Sequence, residues 1–336
     1  MRSPHILLLC VLPAVAWTTA SGCAKVEADG VPTPGRPAFA AGPAGRVDVT
    51  IILDTVPDHP DLPAEEALAV LIETEGHAVL FDAGDWPLDS DDSSPVSGAT
   101  RADIPPAPLD PRCSGRLESN LAALGKDPAA IDAIVISHLS TDHMAGLPVL
   151  LRRRPDVPVC VAQPLGRETL ARMGNPRTVR VLPDPTEIVP GVWTTGVVPA
   201  RDDSVEQGLV VRTAQGPVLI QACGHPGVVA MARRASAVAG APVAMVAGGY
   251  HAIDAEHDFE RRRDAAVLRA LDPAYVVPFH CSTSNPAMLD ALRRFWGPRC
   301  REIGTGARIR FDPGGAAPIF GHAEIVRPPL IPARPR

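Results

Sequence analysis

The run SHLSTDHMAGL, from Ser137 to Leu147, gathers three ligand-type side chains in one short segment: His138, Asp142 and His143. Imidazole and carboxylate are donors for Zn, Mn or Fe. Any one of them alone would pass as an ordinary polar loop residue. All three, with an apolar strand on one side and an apolar helix on the other, read as a metal centre whose ligands are held with little reorganisation.

Positioning such a loop requires the elements around it. Ala133 to Ile136 reads as a short buried strand running directly into His138, and Met144 to Leu151 as the helix that follows. Upstream, Val47 to Leu53, Ala67 to Glu73 and Ala78 to Phe81 have strand character, with a turn at Glu75-Gly76. A polar, proline-containing insert from Trp86 to Ser114 reads as a surface loop, followed by a helix from Leu117 to Leu124 that Gly125 ends. Downstream come strands near Val157 to Val161, Gly191 to Thr195, Leu209 to Arg212 and Val218 to Ala222, then a helix from Val228 to Val238. The pattern then alternates: Val243 to Ala247 as strand, Asp254 to Leu271 as helix, Tyr275 to Val277 as strand, Pro286 to Phe295 as helix. A strand-rich half followed by an alternating half implies an α/β fold with sheets sandwiched between helices.

Further segments accompany the loop in a fixed order: LFDAGD (Leu80 to Asp85), GLVVRTAQGPVLIQACGHPGVV (Gly208 to Val229), AGGYH (Ala247 to His251) and VVPFHCS (Val276 to Ser282). Together with His138, Asp142, His143 and Gly146-Leu147 they resemble the metallo-β-lactamase-fold superfamily. The branch they resemble includes the archaeal 7,8-dihydropterin-6-methyl-4-(β-D-ribofuranosyl)aminobenzene 5'-phosphate synthases, and the match runs from about Val49 to Phe311. The resemblance implies an αββα four-layer sandwich with a metal site on one edge, in which Asp82 buttresses the metal loop. It supplies His225 and His280 as further ligands, so the metal set becomes His138, Asp142, His143, His225 and His280, with Zn expected in one or two copies and Mn or Fe as alternatives. Both added histidines follow apolar strands, where ligands can converge. Asp142 would also orient a water, and His251 would donate a proton or contact substrate.

Two departures stand out. Position 140 is Ser where the superfamily usually has a second histidine, and a hydroxyl is a poor Zn ligand. The expected centre is therefore asymmetric: a dominant ion at Asp142, His143 and His280, and a second, weaker, absent, or rescued by Cys223 or water. Cys223 and Cys281 lie within two residues of His225 and His280, and the sequence reads them first as small buried residues. The second departure is Glu65-Glu66-Ala67, where the branch tends to carry Glu-His-Gly, which separates this chain from the branch's particular substrate. Asp54 matches the pattern, and the segment from Asp54 to His59 reads either as a loop over the cleft or as a plain solvated turn.

Composition sets the wider limits. The 336 residues are 46% apolar and 21% charged with a formal net charge of −6, as expected for a packed domain and contrary to nucleic-acid binding, which needs a clustered basic face. Arg2, the apolar run Ile6 to Trp17 and the small residues before Cys23 have a signal-peptide layout. Ala20-Ser21-Gly22-Cys23 resembles a lipobox, so Cys23 would either carry a lipid anchor to the membrane or be an ordinary residue near a simple cleavage site. The expected organisation is a signal peptide at 1–22, a linker at 23–46, a catalytic domain at 47–312 and a tail at 313–336, in an exported, periplasmic or membrane-anchored protein. His77, His257 and His322 read as solvated, as do the arginine runs at 152–154 and 261–263. No disulfide framework is expected. The function expected is a metallohydrolase that uses a metal-activated water on an ester, phosphoester or amide-like small-molecule substrate. A catalytically degenerate binding protein of the same fold, and an enzyme acting on a pterin-phosphate precursor, are the alternatives.

Overall fold

The structure, a computed structural model, describes residues 45–85, 115–200, 204–251 and 258–326. The segments read as a signal peptide (1–22) and a polar insert (86–114), nearly all of the one read as a linker (23–46), and His257 lie outside the described residues. The chain opens with a meander: β1 (Val47–Leu53), β2 (Ala69–Thr74) and β3 (His77–Phe81), the last two joined by the turn at Glu75-Gly76. Parallel strands β4 (Ala133–Val135), β5 (Val159–Val161) and β6 (Val179–Val181) extend it.

A second sheet begins with β7 (Glu187–Val189) and β8 (Val192–Thr194), and a two-stranded ribbon of β9 (Val198–Pro199) and β10 (Val205–Glu206) follows. Strands β11 (Leu209–Thr213), β12 (Gly216–Ile220), β13 (Met245–Gly248) and β14 (Tyr275–Pro278) complete the second sheet in the order β14-β13-β12-β11-β8-β7. The chain then returns to the first sheet as β15 (Ala307–Phe311) and β16 (Ile319–His322), giving the order β16-β15-β1-β2-β3-β4-β5-β6. β16 falls in the segment the sequence reads as a tail, and it pairs antiparallel with β15 from Ala307↔His322 to Arg310↔Ile319.

Strand alternation builds the layers. Val47, Val49 and Ile51 of β1 pack with Leu209, Val211, Val218 and Ile220 of β11 and β12 in the core between the sheets. The intervening residues face the other way, Ile52 among the first sheet's outer cluster and Val210 and Leu219 among the second's. Helices cover both outer faces. The first sheet's outer cluster takes in Leu117 and Leu121 of α1 (Arg116–Ala123), Met144 of α2 (Thr141–Met144), and Leu147 and Leu150 of α3 (Leu147–Arg153). The short α4 (Arg167–Arg172) precedes the buried Met173. The second sheet is covered by α5 (Val228–Ala239), α6 (Asp258–Ala270) and α7 (Pro286–Trp296) through Met231, Ala235, Leu268, Leu292 and Trp296. The result is the expected αββα sandwich.

The helix read as continuous from Met144 to Leu151 is instead two, α2 and α3, separated at Ala145-Gly146. Gly146 donates its N–H to Ala83 O (2.8 Å), which pins the break against the loop after β3, and Pro148 starts α3 in a position that lacks a helical N–H partner.

Candidate metal centre

Five strands end together on one edge of the sandwich. β3 delivers Asp82, β4 delivers Ser137 and His138, β12 delivers Cys223 and His225, β13 delivers His251 and β14 delivers His280. The loop after β3 is stitched to the metal loop through the backbone: Leu68 N donates to Asp142 O (2.9 Å), Gly84 N to Leu68 O (2.9 Å) and Ala83 N to His143 O (2.9 Å). Gly84 makes this approach feasible, because a Cβ there would sit 1.9 Å from Asp142 O. Among the described non-glycine residues with positive φ, two belong to this edge: Asp82 (φ 61°) and His280 (φ 53°). Backbone in that region is held there by its surroundings at about 1–3 kcal/mol each, a pattern associated with functional sites.

Asp82 is fully buried and organises the loop. Its Oδ1 accepts from Ser137 N (2.7 Å), and its Oδ2 accepts from Ser137 Oγ (2.8 Å) and from His143 Nδ1 (2.7 Å). The last bond fixes the tautomer, since the proton on His143 Nδ1 leaves Nε2 as the outward nitrogen. His138 follows by the same logic. The Ser137 hydroxyl has given its proton to Asp82, so its contact with His138 Nδ1 at 2.9 Å requires the imidazole to donate, again leaving Nε2 free.

The free atoms converge. His143 Nε2 lies 3.1 Å from Asp142 Oδ2 and 3.3 Å from His280 Nε2, and Asp142 Oδ2 lies 3.5 Å from His280 Nε2. An ion bound tetrahedrally at ordinary Zn–N and Zn–O lengths of about 2.0–2.1 Å separates its ligand atoms by about 3.3–3.4 Å. The residues present therefore fit a metal ion of that size. Ser140 supplies no ligand here; its hydroxyl donates to Asp142 Oδ1, leaving Oδ2 to face the histidines. His280 Nδ1 is backed by buried Asp54, 3.6 Å away, whose backbone is tied to Thr305 through two 2.9 Å bonds.

Among the described residues, potential ligand atoms fall into three groups: Asp142, His143, Cys223 and His280; His138, Cys223 and His225; and Cys223, His251 and Cys281. All five predicted ligands thus come together, in the asymmetric halves expected from Ser140. The imidazole rings form a chain, with centroid separations of 4.2 Å for His138–His143, 4.6 Å for His138–His225, 4.9 Å for His143–His280 and 5.3 Å for His225–His251. His251 is half-exposed at the end of that chain, its backbone N–H bonded to Cys223 O (2.9 Å).

Electrostatics follow from this crowding. Burial works against ionising Asp142, but His143 and His280 outweigh it and hold its carboxyl well below the usual range. Burial would push His143 down, yet Asp142 and Asp82 raise it to about 10. His280 is likewise raised well above the ordinary imidazole value despite burial, by Cys281, Asp142 and Asp54. His138 goes the other way, lowered by burial and by the neighbouring His143 and His225. Of the two sulfurs, 3.2 Å apart, Cys281 is the more acidic, favoured by its contacts with Cys223 and His280, while burial pushes Cys223 up.

One contributor is weighed differently by the sequence and another escapes it. The sequence reads Cys223 first as a small buried residue and only second as a rescuer of the weaker ion; it is buried, but its sulfur is 3.3 Å from His143 Nε2 and belongs to each of the three ligand groups among the described residues. The available signal is its place at the end of an apolar strand, two residues before His225. The other is Glu206, fully buried, whose carboxylate accepts from Ala222 N (3.1 Å), Gly224 N (3.0 Å) and His225 N (2.9 Å) and so clamps the loop carrying Cys223 and His225. Burial raises it to about 7 in spite of those bonds. Nothing in the sequence around Glu206 marks it, since it is paired only through folding. Of the bland residues, His77 opens β3 and pairs with Asp132 (3.3 Å), and His322 is exposed, 3.6 Å from Asp58.

The family model described as the metallo-beta-lactamase superfamily matches residues 62–280, more than half of the chain and the whole span from the loop before β2 to His280. The chain belongs to this superfamily. Its members are generally hydrolases that bind metal ions. Among solved structures, Tm1679, described as a metal-dependent hydrolase of the beta-lactamase superfamily, superimposes with a TM-score of 0.57 at 21% identity, covering 78% of this chain and 98% of that one. The metallo-beta-lactamase fold protein YhfI from Bacillus subtilis gives 0.50 at 12% identity, covering 79% and 99%. A curated relative, the 7,8-dihydropterin-6-methyl-4-(beta-D-ribofuranosyl)-aminobenzene-5'-phosphate synthase of Methanocaldococcus jannaschii, is 25% identical over 45% of this chain, which spans 65% of that protein's length.

Proposed function

We propose that the chain is an exported metal-dependent hydrolase acting on an ester, phosphoester or amide-like small molecule. The observation that carries the reading is the convergence of Asp142 Oδ2, His143 Nε2 and His280 Nε2 at 3.1–3.5 Å, the spacing of ligands around one ion. A bound Zn, Mn or Fe ion would supply Lewis acidity and bring the pKa of a water towards neutrality. The protein's own part is orientation. Asp82 holds His143, Ser137 holds His138, Ser140 holds Asp142, and Asp54 backs His280. His251, half-exposed beside His225, would give a proton to the leaving group. The leader before the folded domain supports export, to the periplasm or to a membrane through lipidated Cys23.

The reading is tested by metal analysis after anaerobic loading with Zn, Mn or Fe, followed by turnover of phosphodiester, phosphomonoester, lactone and β-lactam reporters. The expected result is metal-dependent hydrolysis of at least one reporter class, abolished by Asp142→Ala. Failure to hold any metal overturns the reading, and metal binding with tight ligand capture but no turnover favours a binding protein of the same fold.

A further inference from the structure

We propose that Cys223 is a metal ligand shared by the two halves of the centre, its thiolate standing in for the imidazole that Ser140 does not provide. This deepens the metallohydrolase reading and rests on it. Without Cys223, the half-site containing His138 and His225 offers only two imidazoles, since the hydroxyl at 140 is turned to Asp142 Oδ1. Two neutral imidazoles hold a divalent ion weakly; a third, anionic donor makes the set comparable to structural and catalytic N/S sites.

The sulfur is in the right place for both halves. It groups with His138 and His225 on one side and with Asp142, His143 and His280 on the other, and its 3.3 Å separation from His143 Nε2 is close to the roughly 3.5 Å between N and S ligands of one tetrahedral Zn. Its backbone is clamped from both sides. Ala222 N and Gly224 N donate to buried Glu206, and Cys223 O accepts from His251 N. Gly224 carries the turn at φ +81°, where a Cβ would meet Gly249 O at 2.7 Å. The framework that clamps the loop for His225 thus also fixes the backbone from which the sulfur enters the centre. On coordination the thiol gives up its proton to solvent, and burial, which disfavours a free thiolate, no longer opposes one paired with a cation.

A thiolate changes which ion the site takes. It favours borderline and soft ions, Zn, Co or Cd, over Mn, which prefers oxygen donors. Cys281, 3.2 Å from Cys223, lies outside both halves and is left as a neighbouring thiol that can donate to the bound sulfur.

Anaerobic titration of the purified protein with Co and with Cd tests this. The wild type is expected to bind two equivalents and to develop a sulfur-to-metal charge-transfer band in the near or far ultraviolet. Cys223→Ser is expected to lose the band and bind the second equivalent at least about 10-fold more weakly, while Cys281→Ser retains both. Zinc-edge X-ray absorption of the wild type tests for a sulfur ligand without relying on a variant that folds, and the absence of a sulfur scatterer overturns the proposal. Two equivalents bound with no sulfur signal overturns the proposal alone, as does a band that survives Cys223→Ser or vanishes in Cys281→Ser. Binding of no metal overturns both the proposal and the metallohydrolase reading.

Discussion

Replacing Glu206 with Ala separates the loop clamp from the ligands themselves. Three buried N–H groups, of Ala222, Gly224 and His225, lose their acceptor. At about 1–3 kcal/mol for each buried donor left unpaired, and allowing for water entering the vacated space, the loss is about 3–5 kcal/mol where the carboxyl is neutral in both folded and unfolded chains. The pH dependence has a definite sign. Glu206 is raised from 4.5 to about 7, so between those values the folded protein binds the proton that the unfolded chain has released, and wild-type stability falls as pH rises. That window is worth about 3 kcal/mol, a contribution the alanine variant lacks. The deficit of Glu206→Ala is therefore larger at pH 5 than at pH 8, where it shrinks to about 0–2 kcal/mol. Urea denaturation of both proteins in chelator at the two pH values reads this, and titrations they share, such as that of His143, largely cancel in the difference. Equal deficits at the two pH values, or a larger one at pH 8, would refute the reasoning. Metal-loaded Glu206→Ala should also lose the equivalent held by His138, Cys223 and His225 before the one held by Asp142, His143 and His280.

Asp82→Asn puts an amide against His143 Nδ1 and the Ser137 hydroxyl, and should weaken metal binding by about 10–100-fold in chelator competition with little change in secondary structure. Gly84→Ala forces a Cβ to 1.9 Å from Asp142 O and 2.7 Å from Leu68 N; it should cost about 3 kcal/mol or more in thermal or urea unfolding and reduce metal content. Metal binding at pH 8 should release at least one proton, because His143 holds its proton up to about 10 and His280 is also raised, so affinity should rise with pH through the neutral range. Titration in weak buffer with a pH indicator measures the release, and no release would contradict the proposed ligand role of His143.

Much of this was legible in the sequence because local pattern and strand ends carry it. Val47–Leu53 is β1 as read, and His138, His225 and His280 each follow an apolar strand, so their approach to a common edge needed only the sandwich to be right. What the sequence could not show is contact between distant side chains. His143 and His280 are 137 positions apart, and whether their nitrogens meet depends on the register of β13 with β14 and on Asp82 turning one ring. Cys223 was legible only as a neighbour of His225, because a buried thiol and a ligand thiol look alike until the third dimension sets one against an imidazole. The short strands β6 and β7 were missed for a different reason. At three residues each, with Arg180 and Glu187 exposed, they offer no alternation to read and are formed by pairing with β5 and β8.

The charge of the centre explains why an ion belongs there rather than merely fitting. Asp54, Asp82 and Glu206 are fully buried, Asp142 is partly buried, and their described partners are backbone N–H groups, hydroxyls and imidazoles. Carboxylates taken out of water require compensating positive charge, and hydrogen bonds from neutral donors supply only part of it. Protons on His143 and His280 fill that role, which is the physical content of their raised values. The arrangement is therefore poised for exchange: a divalent cation arriving between Asp142, His143 and His280 would displace protons and supply the same compensating charge, leaving His143 Nδ1 held by Asp82 and His280 Nδ1 facing Asp54 at 3.6 Å. Ser140 removes one imidazole from the other half without adding charge, so that half depends on a further anionic donor, and the buried sulfur of Cys223 is within reach of it.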